Sequence, residues 1–128
     1  MSEMKTIASP DAPAAIGPYC QAVVVNGLLF TSGQIALDPK TGDIVGETVA
    51  EQAAQVVRNL GAVLAEAGCG FEDVVKTTCF LASMDDFAAF NEVYAEAFIS
   101  RPARSCIAVK TLPKNLLCEV ELIAKVGE

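Results

Sequence analysis

The sequence predicts a single α+β domain in which one mixed sheet of about six strands carries two helices on one face. Length and composition support this, because 128 residues that are 52% hydrophobic can bury one core. The patterned segments follow the order β-β-β-α-β-α-β-β, with no repeat, low-complexity tract or linker in residues 1–128. Two helices cannot cover both faces of so wide a sheet. The uncovered face makes the chain a candidate oligomer.

Three strands are expected before the first helix. The first is a short strand at residues 5–8, and the next two span residues 21–25 and 28–32. Asn26-Gly27 joins the latter two and is the strongest sequence signal for a two-residue hairpin. Residues 38–43 are rich in turn-forming residues and are expected to form an irregular loop.

Two helices alternate with the remaining strands. Thr48 and Glu51 fit a capping box at the start of the first helix, and Gly68 supplies its end. The second helix begins near Ser83 and ends before Pro102. Apolar residues recur at helical spacing in both, at Ala53, Val56, Leu60, Val63 and Ala67, and at Phe87, Phe90, Tyr94, Ala97 and Phe98. The other strands are expected at residues 74–81, 104–109 and 118–123.

The composition excludes several classes of protein. The chain has no histidine and five scattered cysteines without a C-x-x-C pair, which argues against a zinc site and rules out Ser-His-Asp or Cys-His catalysis. We expect no metal or cofactor. The net charge of −7 disfavours nucleic acids and membrane surfaces as partners. No apolar run could span a bilayer and the N-terminal residues do not resemble a signal peptide, so we expect a soluble cytoplasmic protein.

Arg104 is a candidate for binding an acid group. Strand alternation places Arg104 and Cys106 on one face, and the planar guanidinium matches a carboxylate in two parallel hydrogen bonds. On alternation alone, a surface arginine at the start of a strand is the simpler interpretation. Cys106 has no evident base to activate its thiol, so its backbone is expected to matter more than its sulfur.

Glu119 and Glu121 share one face of the last strand, opposite Cys118, Val120 and Leu122. The ordinary interpretation is the solvated face of a half-buried strand. The functional alternative makes one of them a general base, which requires burial or a nearby like charge to raise its pKa. The other carboxylate is such a charge.

Four further residues are candidates for a pocket. A Gly-Pro turn before Tyr19 would aim its ring, although a partly buried tyrosine at a strand start is as good an interpretation. Gly33 follows a strand and would permit close approach of a ligand, but many strands end in glycine. Phe87 and Asn91 lie on the second helix, where a core phenylalanine and a satisfied buried amide are the ordinary interpretations.

Seven short motifs occur in order between about Ala12 and Ala124. They are Gly17-Pro18-Tyr19-x-Gln21-Ala22, Thr31-Ser32-Gly33-Gln34, Val75-Lys76-Thr77-Thr78, Phe87-x-x-x-Asn91, Pro102-Ala103-Arg104-Ser105-Cys106, Leu112-Pro113 and Glu119-x-Glu121. Each motif is weak alone, but the ordered set resembles the reactive intermediate (enamine/imine) deaminase family, also called RidA/YjgF.

This resemblance implies a chorismate-mutase-like fold and a homotrimer with sites in the clefts between subunits. The implied activity is hydrolysis of 2-enamine and 2-imine acids, such as 2-aminoacrylate, 2-iminopropanoate and 2-iminobutanoate, to 2-keto acids and ammonia. Such an activity is one of metabolite damage control. A protonated C=N carbon is already electrophilic, so positioning and general base catalysis suffice.

The resemblance also assigns roles to residues. Arg104 matches the arginine that holds the substrate carboxylate, Glu119 the glutamate associated with the attacking water, and Tyr19 the site tyrosine. The other matches are Cys106, which contributes its backbone, and the pocket positions Gly33, Phe87 and Asn91.

Two positions depart from the family pattern. Cys20 stands where many members have serine, and the link from Phe98 to Pro102 is a residue or two shorter than usual. Two other functions are alternatives: a non-catalytic binder of small carboxylates, and a chaperone-like protein that uses apolar surface around the cleft. An endoribonuclease role, reported for some relatives, is disfavoured by the acidic charge.

Overall fold

The computed structural model describes residues 3–127 and has one six-stranded sheet with two helices on one face. Residues 1, 2 and 128, at the ends of the expected domain, lie outside the described residues. The strands are β1 (Lys5–Ile7), β2 (Ala22–Val25), β3 (Leu28–Thr31), β4 (Val74–Leu81), β5 (Ala103–Ala108) and β6 (Cys118–Lys125), and the helices are α1 (Val49–Glu66) and α2 (Phe87–Ala97). The predicted α+β class and element order are confirmed.

The sheet has the strand order β1-β2-β3-β6-β4-β5. Only the β4–β5 pair is parallel among these strands, because α2 provides the crossover that a parallel pair needs. Asn26 and Gly27 have φ values of 54° and 76°, as a type I′ hairpin requires. The last strand, β6, lies in the interior of the sheet, while β5 forms an edge.

The core lies between the helices and one face of the sheet. Alternate residues of the two long strands face it, and their side chains are buried: Thr77, Cys79 and Leu81 on β4, and Cys118, Val120, Leu122 and Ala124 on β6. Val56, Leu60, Val63 and Leu64 of α1 pack against them. On the other face, Phe30 and Ile107 are 37% and 49% exposed. This uncovered face is the one that the helix count predicts.

Helix α1 begins and ends as its sequence predicts. Thr48 Oγ1 accepts a hydrogen bond from the Glu51 amide at 3.1 Å, and Glu51 Oε1 accepts one from the Thr48 amide at 3.2 Å. Gly68 follows the helix with φ +82°, a left-handed conformation that glycine adopts without strain. No helix within residues 3–127 is both long and apolar enough to cross a membrane.

Buried amides on α1 fix the loop that connects β3 to the helix. Asn59 Nδ2 donates to the carbonyl oxygens of Ile35 and Leu37, both at 3.1 Å. Gln52 Nε2 donates to the Gly46 carbonyl at 3.2 Å, and its Oε1 accepts from the Leu117 amide at 2.8 Å. The sequence predicts only the apolar stripe of α1. These amides show that the buried face of α1 also carries polar side chains, which satisfy loop backbone groups.

The ends of α2 differ from the expected bounds. A 3₁₀ turn, Met84–Asp86, precedes the helix, and Ser83 caps it by accepting a hydrogen bond from the Asp85 amide at 3.0 Å. The helix ends at Ala97, and Ser100 Oγ donates to the Val74 carbonyl at 2.7 Å. That bond fastens the turn between α2 and β5 to the start of β4.

Candidate functional site

A cleft of about 530 Å³ opens where β3 ends beside the first residues of β6. We call it the acidic cleft, after Glu119, which is its only carboxylate within the described chain. Its lining includes Pro13, Tyr19, Ser32, Gly33, Gln34, Pro113, Lys114 and Glu119. The cleft therefore brings together three residues that the sequence singles out: Tyr19, Gly33 and Glu119.

Gly33 and Glu119 are in close contact within the acidic cleft. A Cβ atom on residue 33 would lie 2.7 Å from Glu119 Cδ, so only glycine leaves room for the carboxylate in this position. The arrangement is fixed by two backbone hydrogen bonds between Gln34 and Val120, at 2.8 and 3.1 Å. The space that glycine provides is thus occupied by a side chain of the same protein.

Glu119 is half-buried, and burial raises the pKa of its carboxyl group. The negative charge of Glu121, two residues along the same face of β6, raises that pKa further. Both effects disfavour the ionised form, and they are the two causes that the strand pattern suggests. A carboxylate with a raised pKa is a better proton acceptor, as a general base requires.

Tyr19 follows the expected turn. Its amide donates to the Gly17 carbonyl at 2.9 Å, and Gly17 has φ +127°, a conformation that favours glycine. The ring is 57% exposed and lies at the wall of the acidic cleft. The neighbouring wall is held by the buried side chain of Gln21, whose Nε2 donates to the carbonyls of Ser9 (3.1 Å) and Pro13 (2.9 Å).

Arg104 lies against α2, in a group that we call the arginine cluster: Phe87, Asn91, Tyr94 and Arg104. Its Nη1 donates to Asn91 Oδ1 at 2.7 Å. Its guanidinium carbon lies 5.4 Å from the centre of the Phe87 ring and 4.6 Å from that of Tyr94. The three α2 residues are spaced i, i+4 and i+7, so they present one helical face to the arginine.

Cys106 lies on the same face of β5 as Arg104 and is half-buried. Burial raises the pKa of its thiol, and the positive charge of Arg104 only partly opposes this effect. A thiol with a raised pKa is a poor nucleophile at neutral pH. Because β5 is an edge strand, alternate backbone groups beside Cys106 are turned away from β4 and are available to a ligand.

The acidic cleft and the arginine cluster lie on opposite faces of the sheet. Arg104 contacts α2 on the covered face, whereas Glu119 alternates with the buried Cys118 and Val120 and so projects from the uncovered face. Glu119 lines the acidic cleft, whereas Arg104 lines a second cleft of about 370 Å³ beside α2, with Asn91 and Tyr94. These two clefts of the described chain have no lining residue in common.

Comparison with known proteins identifies the family to which the ordered sequence motifs belong. The model of a family described as Endoribonuclease L-PSP matches residues 9–126. The chain belongs to this family. It is the family that also carries the names RidA and YjgF, so the resemblance drawn from the ordered motifs is confirmed.

Several relatives in the Endoribonuclease L-PSP family match over almost their whole length. A RutC family protein of Synechocystis is 57% identical over 94% of this chain and 95% of its own. The 2-iminobutanoate/2-iminopropanoate deaminase of Mus musculus is 48% identical over 96% of this chain and 92% of its own. The structure of Escherichia coli TdcF with bound serine has a TM-score of 0.90 and 41% identity, over 96% of this chain and 98% of that one.

Two residues beside Arg104 are not among the site candidates that the sequence predicts. In the sequence, Tyr94 belongs to an apolar stripe, and Thr77 belongs to a strand and to the motif Val75-Lys76-Thr77-Thr78. In the structure, Thr77 Oγ1 and Tyr94 OH share a buried hydrogen bond of 2.7 Å, next to the guanidinium. The available signal was the spacing of Tyr94, three residues after Asn91 on one helical face.

Proposed function

We propose that the protein hydrolyses small 2-imino and 2-enamino acids, such as 2-iminobutanoate and 2-iminopropanoate, to 2-keto acids and ammonia. The observation that carries this proposal is that Arg104 has no acidic partner among the described residues. Among residues 3–127, its partners are the neutral Asn91 and two aromatic rings, and no carboxylate lies within ion-pair distance. A half-buried guanidinium without an acid partner is suited to an acid group supplied by a ligand.

In this mechanism, Arg104 binds the substrate carboxylate and thereby fixes the adjacent C=N carbon. The raised pKa of Glu119 suits it to take a proton from water as the water attacks that carbon. Tyr19 lies in the wall of the same cleft as Glu119, where its hydroxyl is proposed to hydrogen-bond polar groups of the reactants. Cys106 contributes backbone groups, while Gly33, Phe87 and Asn91 shape the pocket. Collapse of the resulting carbinolamine expels ammonia and leaves the 2-keto acid.

We further propose that the active site forms between subunits of a homotrimer. The arginine cluster of one copy would then face the acidic cleft of its neighbour, which unites Arg104 and Glu119. Support comes from their positions on opposite faces of the sheet and from the partly apolar uncovered face. Head-to-tail contacts form a ring of three when the rotation between neighbours is one third of a turn.

Two relatives support the proposed chemistry, and the cysteines support the proposed compartment. The mouse relative is named a 2-iminobutanoate/2-iminopropanoate deaminase, and TdcF was solved with serine, a small amino acid that carries a carboxylate. All five cysteines are free thiols, which suits the reducing cytoplasm that we propose as the location.

A coupled assay tests the activity. Threonine dehydratase generates 2-iminobutanoate, and the added protein should accelerate its conversion to 2-ketobutyrate. Arg104→Ala should lower kcat/KM about 10- to 150-fold, the equivalent of a lost charged hydrogen bond. Arg58→Ala is the matched control, since Arg58 is an exposed arginine on α1 that bonds only Gln55 among the described residues.

Each alternative function predicts a different experimental result. A non-catalytic carboxylate binder would leave the decay of the imine unchanged and still bind 2-ketobutyrate. A chaperone-like protein would suppress aggregation equally well with Arg104→Ala. A ribonuclease, as the family description suggests, would cleave RNA and lose that cleavage with Arg104→Ala, but the net charge of −7 opposes RNA binding.

A further inference from the structure

We propose that Tyr94 is a positioning residue for Arg104: its ring supports the guanidinium, and Thr77 fixes the ring through their shared hydrogen bond. This inference rests on the proposed function, in which Arg104 captures the substrate carboxylate. Tyr94 is not expected to touch the substrate's reacting atoms. Its effect would pass through the arginine.

The first support is the contact between the two side chains. The Arg104 guanidinium carbon lies 4.6 Å from the centre of the Tyr94 ring, closer than its 5.4 Å from the Phe87 ring. A cation over an aromatic face within about 6 Å is attracted by the ring quadrupole. Tyr94 is only 9% exposed, so this attraction is poorly screened by water.

The second support is that the Tyr94 ring is itself fixed. Its hydroxyl shares a 2.7 Å hydrogen bond with Thr77 Oγ1, and Thr77 is fully buried. Phe98 stacks on the same ring, with centroids 4.3 Å apart and planes inclined by 22°. A buried hydroxyl pair and a stacked neighbour leave the ring little freedom to rotate.

The third support is the register of the sheet. Thr77 on β4 is the direct partner of Arg104 on β5, so both side chains leave the sheet on the covered face, side by side. Helix α2 lies over them and places Tyr94 where it contacts both. The strand pair and the helix thus converge on a single ring.

Together these contacts orient the guanidinium before a substrate arrives. Asn91 accepts a hydrogen bond from Arg104 Nη1, and the contact with the Tyr94 ring restricts rotation of the guanidinium group. The other N–H donors of the guanidinium remain available for a carboxylate. A group that is held in its binding orientation loses less freedom on binding. Loss of the stack should therefore weaken substrate capture and leave the chemical step almost unchanged.

Steady-state kinetics with 2-iminobutanoate test this inference. Tyr94→Leu removes the ring and should raise KM about 2- to 30-fold, the range of a cation–π contact, with kcat changed less than about twofold. Tyr94→Phe and Thr77→Val each keep the ring but remove the hydrogen bond that fixes it. Both should therefore raise KM, by similar factors that are smaller than the factor for Tyr94→Leu.

Phe90→Leu is the matched control. Phe90 is a buried aromatic residue on the same helix, 5.9 Å from the Tyr94 ring between centroids, whereas the rings that lie over the Arg104 guanidinium are those of Phe87 and Tyr94. The Phe90→Leu variant should have a lower unfolding temperature and an unchanged KM. Equal values of KM for Tyr94→Leu and Phe90→Leu would overturn the inference, and an unchanged KM for Thr77→Val would overturn the role of the hydroxyl pair.

Binding of 2-ketobutyrate, measured by calorimetry, provides a readout that does not require turnover. The affinities should follow the same order, with Tyr94→Leu binding most weakly and Tyr94→Phe and Thr77→Val lying between it and the unmodified protein. If the unmodified protein binds 2-ketobutyrate but does not hydrolyse the imine, the proposed function fails while the order of Kd values still decides the role of Tyr94. If hydrolysis is normal and Tyr94→Leu leaves both KM and Kd unchanged, only the positioning role fails.

Discussion

Arg104 and Glu119 project from opposite faces of one sheet, although the strands that carry them, β5 and β6, both pair with β4. The register explains the separation. Arg104 lies beside Thr77, which faces the helices, whereas Glu119 lies beside Phe80, which faces the other way. In the proposed function, each chain would therefore provide two half-sites that meet only between neighbouring copies.

Mixed oligomers should recover activity from two impaired variants. Arg104→Ala and Glu119→Gln should each have strongly reduced activity alone, because each removes one half of every site. In a 1:1 hybrid prepared by refolding together, an intact site forms wherever an Arg104 from one variant meets a Glu119 from the other. If each site uses one residue from each of two neighbours in a ring, about one quarter of the sites are intact.

Kinetics of the refolded mixture provide the measurement, with each variant refolded alone as the control. Light scattering should report the same oligomer mass for the hybrid and the parents. Failure of the hybrid to exceed the sum of the two variants, while the mass is preserved, would mean that the two residues do not meet in a site between subunits.

The pH dependence of activity should reveal the effect of Glu121 on Glu119. The negative charge of Glu121 helps to raise the pKa of Glu119, so its removal in Glu121→Gln lowers that pKa. A general base acts in its ionised form, so kcat/KM rises with pH through this pKa. The rising limb should therefore move to lower pH in Glu121→Gln. An unmoved limb would show that another group controls it.

The fold could be predicted from sequence because its signals are local. The capping box at Thr48, the left-handed Gly68 and the Asn26-Gly27 hairpin all depend on neighbours within a few residues. The order of strands could not be predicted in this way. The insertion of β6 between β3 and β4 depends on contacts between residues about 90 apart, such as the 3.0 Å hydrogen bond from the Leu122 amide to Thr31 Oγ1.

Only part of the candidate site could be predicted from the sequence. Arg104 and Glu119 stand in recognisable motifs, and the like charge beside Glu119 follows from strand alternation alone. Their separation on opposite faces could not be predicted, because it depends on which face of the sheet receives α2. The contact of Tyr94 with Arg104 has the same origin, since an aromatic residue in a helical stripe carries no sign of its partner.

The stability of the protein should depend on pH through Glu119. Its folded pKa is raised above the ordinary value of 4.5, so folding favours the protonated form. Below pH 4.5, both states hold the proton and there is no penalty. As pH rises through the folded pKa, the folded state loses stability relative to Glu119→Gln, which does not titrate.

Urea unfolding of both proteins at several pH values, at one protein concentration, provides the measurement. The advantage of Glu119→Gln should be absent near pH 4, grow as pH rises and then reach a plateau. An advantage that is the same at all these pH values would contradict the raised pKa.

Gly33→Ala should impair activity far more than stability. The added Cβ would overlap the Glu119 carboxylate, with Cδ only 2.7 Å away, so the flexible end of that side chain must move. A displacement of about 1 Å can cost about 100-fold in rate, and we expect a loss of that order in kcat/KM. The free energy of unfolding should change by less than about 1 kcal/mol, because a carboxylate at the edge of a cleft can rotate into open space.

Gly68→Ala is the converse control. At φ +82° the substitution is strained by about 1–2 kcal/mol, yet its Cβ would meet no atom within 4 Å and lies outside both clefts. It should lower stability and leave kcat/KM unchanged. The two alanine variants add the same atom at different places. A comparable loss of activity in both would mean that Gly33 matters only for folding. The position of the Glu119 carboxylate would then not govern the reaction.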